Sequence, residues 1–156
     1  MDGHDASRRD ILALMAALPL VAAPRAVMAQ ATSTSPVKVD TRGLTPKIRF
    51  EHVIGGYLTE LNGKYKLRIT ELTIEPGGYV GEHNHVGPGI RLMTLGEMTY
   101  VLPDMTHTYR AGDFFFESGD VNHTVYNKTD KPNQHLLFEV LPADLQGPSL
   151  IPVKRR

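Results

Sequence analysis

Beyond residue 47 the chain never sustains the 3.6-residue period of a helix. It runs instead in short stretches rich in Val, Ile, Thr, Tyr and Phe, each closed by turn residues. Such stretches fall at 48–53, 57–61, 64–74, 79–85, 90–95, 97–102, 107–110, 114–117, 123–127 and 135–141. Asn62-Gly63 separates the second from the third and is the dipeptide that a two-residue hairpin turn favours. Pro76-Gly77-Gly78, Pro103-Asp104, Ala111-Gly112-Asp113 and Ser118-Gly119-Asp120 punctuate the rest. Many short strands at this spacing predict an all-β sandwich or barrel.

Within that pattern His83 and His85 stand two apart in a predicted strand. Side chains alternate across a strand, so both imidazoles face the same side. If that side is the interior, two nitrogen donors enter one cavity. His123 opens a later run just after a glycine turn, where a returning strand supplies a third. His52, His107 and His135 lack such spacing. Taken alone, a His-x-His pair is also what a pair of exposed histidines looks like.

The surroundings of these histidines resemble the two motifs of the cupin superfamily, G-x5-H-x-H-x3-E-x6-G and G-x5-P-x-G-x2-H-x3-N. The first reads here as Gly77, His83-Asn84-His85, Gly89 and Gly96; the second as Gly112, Ser118-Gly119-Asp120, His123 and Asn127, with every interval kept. Ser118 and Asp120 replace a proline and a glycine, and both suit a turn. Gly89 stands where the family carries its metal-binding glutamate.

The resemblance implies a cupin-type double-stranded β-helix, a jelly-roll barrel. It also implies one divalent transition metal held by His83, His85 and His123, as in those cupins that use three histidines alone. A neutral three-histidine shell suits iron, zinc, manganese, nickel or copper. Without a carboxylate the ion keeps its full charge and attracts anions more strongly. Two classes of function stay open at this point: an iron-dependent dioxygenase acting on a small organic substrate, or a non-enzymatic small-molecule-binding or sensing module. Cupin barrels often pair through edge strands, which makes a homodimer an expected partner.

Arg91 lies two residues past Gly89 and faces the same way on a regular strand. Two roles are open to it: pairing with a substrate carboxylate near the metal, or pairing with a structural glutamate. Glu82 adjoins His83 and points to the opposite face; Glu117 and Glu139 have no place that spacing can assign.

The N-terminal residues 1–29 read as a leader. Ser7-Arg8-Arg9-Asp10 precedes an Ala- and Leu-rich run that is too short to span a bilayer, and Val27-Met28-Ala29 ends in small residues. The paired arginines resemble a twin-arginine export signal, with cleavage expected after Ala29 and the mature chain periplasmic or secreted, without a membrane span. Residues 30–46 read as a linker, 47–145 as the barrel domain and 146–156 as a tail.

Composition closes off other classes. Lys+Arg and Asp+Glu each number 17, so no net charge draws nucleic acid, and tryptophan is absent. With no cysteine, disulfides, thiolate zinc sites and thiol nucleophiles are excluded.

Overall fold

The computed structural model describes residues 38–153, so the expected leader and residues 30–37 of the expected linker lie outside the described residues. The described residues form nine strands and no helix: β1 Thr41–Val53, β2 Tyr65–His85, β3 Gly89–Leu95, β4 Glu97–Val101, β5 Thr106–Arg110, β6 Phe114–Glu117, β7 His123–Tyr126, β8 Asn133–Pro142 and β9 Leu150–Pro152. No helix among them is long and apolar enough to cross a membrane.

The strands join in the order β5-β4-β7-β2-β8-β3-β6, with β1 and β9 also on β2, and every pairing is antiparallel. The sheet curls into a nearly closed barrel. β2 is its spine, and its length lets it pair with β8 along its first half, with β7 and β9 along its second, and with β1 from Lys66 to Val80.

β2 bends where a turn was expected. Pro76-Gly77-Gly78 does not end the strand; it forms an irregularity within it, with Gly77 at φ 68°, a conformation that glycine adopts without a Cβ clash. Asn127, the last residue of the second motif, holds this bend. Its Nδ2 donates to Ile74 O at 2.8 Å and Lys131 O at 2.8 Å, and backbone bonds link Asn127 to Gly77 and Gly78.

Three other expectations are corrected. Residues 57–61 are not a strand: Leu61 N donates to Leu58 O and Asn62 N to Thr59 O, so the segment spends its backbone bonds on its own turns. β1 starts at Thr41, inside the expected linker, because the edge of β2 offers a partner that local composition does not reveal. The expected tail contains β9, which pairs with the histidine-bearing end of β2.

Strand alternation sorts the barrel interior into two zones. Ile74, Val80, Met93, Met98, Tyr100 and Val125 pack as an apolar cluster. Beside it the inward positions of β8 carry His135, Leu137, Glu139 and Leu141, all buried, while Phe138 on the other face is exposed. Phe114 and Phe116 point outward; Phe115 between them points in. Buried polar side chains cost free energy unless paired, so this half-polar interior marks a site and not plain core.

Candidate metal centre

The histidines converge as strand geometry dictates. His83 and His85 occupy alternate, inward positions at the end of β2, and His83 is the direct cross-strand partner of His123 at the start of β7. All three are buried, and one ligand atom from each lies within 4.8 Å of the others. The ring centroids of His83 and His123 are 4.2 Å apart.

The hydrogen bonds settle which nitrogen faces the centre. His83 Nδ1 lies 2.7 Å from Gly81 O, and His123 Nδ1 lies 3.1 Å from Val121 O. A carbonyl only accepts, so each Nδ1 carries the proton and each Nε2 keeps its lone pair. His85 Nε2 lies 2.9 Å from Arg91 Nη2. Arginine only donates, so His85 Nε2 also holds a lone pair, and its Nδ1–H faces Glu139 Oε1 at 3.4 Å. Ser149 Oγ in turn donates to that same Glu139 oxygen at 2.5 Å. A ligand histidine whose outer nitrogen faces a carbonyl or carboxylate is the usual outer-shell arrangement at metal sites.

Burial keeps the rings neutral. It lowers His83 and His123 to about 4, helped at His83 by the neighbouring His123 and at His123 by Arg91. His85 falls to about 2 through burial and then the Arg91 charge. Neutral imidazoles with inward lone pairs are the form that binds a cation, so the donor set fits a divalent transition metal.

Arg91 reaches the centre as expected from its register. Its guanidinium pairs with Glu117 and donates to His85; its Nη1 has no hydrogen-bond partner among the described residues. Glu117, which spacing could not assign, lies inside the cluster, with Oε2 3.4 Å from His85 Nε2 and Oε1 3.4 Å from His123 Nε2. Burial and the Glu117 charge hold the Tyr100 phenol protonated, well above its ordinary range. His135, which also lacked spacing, is buried on the same inner wall, where burial and then Arg91 lower it to about 3. His52 and His107 are exposed and take no part.

His83, His85, His123, Arg91, Glu117 and His135 line one cavity of about 930 Å³, with Thr70, Ile74, Phe115 and Leu137 adding its less polar walls. That is the volume of a pocket for a small organic molecule.

The Gly89 position explains the departure from the motif. A Cβ there would meet Phe138 O at 2.7 Å, Leu137 Cδ1 at 3.1 Å and Glu139 Cγ at 3.3 Å. Glutamate therefore has no room at residue 89.

Residues 70–138 match the family model for the cupin domain. The barrel has the cupin fold. Solved cupin-fold structures agree at low identity. The polyketide cyclase RemF from Streptomyces resistomycificus is 20% identical at a TM-score of 0.54, covering 77% of this chain and 82% of that one. A cupin-2 domain from Rhodospirillum rubrum is 17% identical at 0.53, covering 73% and 68%. A double-stranded β-helix protein from Klebsiella pneumoniae is 16% identical at 0.50, covering 65% and 78%. No curated protein matches the chain. In this cupin barrel Asn127 belongs to the motif but not to the centre: its bonds hold the backbone that presents β7.

Proposed function

We propose that this chain is an exported cupin that holds one divalent transition metal through His83, His85 and His123, and that it acts as an iron-dependent dioxygenase on a small organic substrate. The observation that carries the metal reading is the convergence of three buried Nε2 lone pairs, two fixed by a hydrogen bond from the ring's Nδ1 and the third by the Arg91 guanidinium, which only donates. A bound ion supplies Lewis acidity and, as iron, electron exchange with dioxygen.

The remaining roles belong to the chain. The cavity walls position the substrate beside the histidines. Arg91 Nη1 is the donor offered to an anionic group of the substrate, while Glu117 holds the other side of the guanidinium. Tyr100, kept protonated, offers a hydroxyl beside Glu117. Arg8-Arg9 and the apolar run after them support export, and the open outer edges of the barrel support a homodimer.

The test is elemental analysis of protein purified without chelator or metal-affinity resin, followed by oxygen-uptake assays of the iron-loaded protein with phenolic, keto and thiol compounds. Stoichiometric metal with substrate-dependent oxygen uptake supports the proposal. Metal without oxygen uptake across the panel moves the reading to a binding or sensing module, and no metal even after reconstitution overturns it. Export is tested by the mass and compartment of the mature chain.

A further inference from the structure

We propose that Glu117, reaching in from β6, is the carboxylate ligand of this centre and replaces the glutamate that the first motif lacks at Gly89. The proposal rests on the metal-centre reading and deepens it.

Three observations carry it. The first is register: Glu117 is the cross-strand partner of Gly89, so the carboxylate has moved sideways by one strand and stays at the same height in the barrel. The second is space, since the backbone and side chains of β8 close position 89 to any side chain.

The third is the chemistry of the contact. His123 Nε2 holds a lone pair, and the Glu117 oxygen facing it at 3.4 Å is also an acceptor. Two buried acceptors repel each other, and a cation shared by both turns that contact into an attraction. Nitrogen and oxygen donors sit at ~2.0–2.2 Å from such an ion, so two donor atoms held 3.4 Å apart are within reach of a single ion. The two oxygens divide the work. Oε1 faces His123, and Oε2 engages Arg91, which aims the carboxylate. The centre is then three histidines and one glutamate, with the charge balance of the family's usual set but a carboxylate from a different strand. Metal entry requires Arg91 to release His85 Nε2 and keep Glu117.

The experiment compares the full chain with Glu117→Gln, using Co(II) and Zn(II) alone as probes. Affinity is read by chelator competition and ligand type by the Co(II) absorption spectrum. Because Glu117→Gln leaves Arg91 buried without its partner, the double variant Glu117→Gln/Arg91→Met is measured alongside, with the metal-free melting temperature as the folding control. The expected result is a loss of affinity of at least ~100-fold in both variants, beyond the outer-shell range, with a changed Co(II) spectrum. Unchanged affinity, or weaker binding with an unchanged spectrum, overturns the ligand assignment while leaving the three-histidine centre standing. If the unaltered chain binds neither ion, the metal-centre reading itself falls, and this inference with it.

Discussion

His83 and His123 face each other as register partners across β2 and β7, with ring centroids 4.2 Å apart. Neither ring carries a charge, and His123 stacks on Tyr100 of the apolar cluster at 4.6 Å, so the metal-free melting temperature of the variant is the folding control. The double variant His83→Ala/His123→Ala is expected to lose bound metal entirely in elemental analysis. Metal retained at the original stoichiometry would place the site elsewhere.

Glu139 is expected to tune the centre without belonging to it. Its Oε1 lies 3.4 Å from the Nδ1–H of His85, on the side where an outer-shell carboxylate orients a ligand imidazole. Glu139→Gln should weaken metal binding by ~10–100-fold, the usual effect of an outer-shell partner, and leave the Co(II) spectrum largely unchanged. A loss as large as that expected of Glu117→Gln would erase the distinction between the two carboxylates.

Gly89→Ala should be destabilising by about 1–3 kcal/mol, as overpacking against rigid backbone is. The added Cβ meets Phe138 O at 2.7 Å, and a carbonyl in a paired strand cannot step aside. Urea unfolding measures this directly. Gly89→Glu is expected to be worse still and to recover no metal affinity in a Glu117→Gln background.

Acid should unfold the metal-free protein in a window set by its histidines. His83 and His123 are lowered to about 4 and His135 to about 3, against an ordinary 6.5. Between those values the unfolded chain binds protons that the folded chain refuses. Stability from these groups is therefore complete above pH ~6.5 and is lost as pH falls toward 4. Glu139, raised by burial, opposes this in part, and Glu51, lowered by its bonds to Arg68 and Lys66, adds its own loss at lower pH. Thermal melts should be flat from pH 7 to 8 and fall steadily below 6.5. A melting temperature that holds or rises down to pH 4.5 would contradict the burial of neutral rings.

Asn127→Ala separates the structural from the chemical part of the second motif. It removes the donor to Ile74 O and Lys131 O and should cost ~1–3 kcal/mol for each partner left buried and unpaired. The folded fraction should still bind one metal per chain, as measured on protein at low temperature.

The strand class and the histidine set were legible in the sequence because both rest on local periods. Residues 114–117 coincide with β6, and the alternation that puts His83 and His85 on one face needs no knowledge of a partner strand. Composition favours a strand over residues 57–61, but a strand exists only where another pairs with it. The same blindness hid the start of β1 at Thr41 and the pairing of β9.

By itself, then, the sequence determined an all-β chain, three histidines at fixed spacing and a glycine where a glutamate was expected. Tertiary structure alone decided what surrounds them. The β3–β6 register sets Glu117 opposite Gly89, and the β3–β8 register fills the space at Gly89 and sets Glu139 behind His85. The same packing turns Arg91 onto Glu117 and buries His135 in the same wall. Spacing along one strand sets which side chains share its face; which residues meet across the barrel depends on pairings between segments distant in the chain, and no local pattern encodes those.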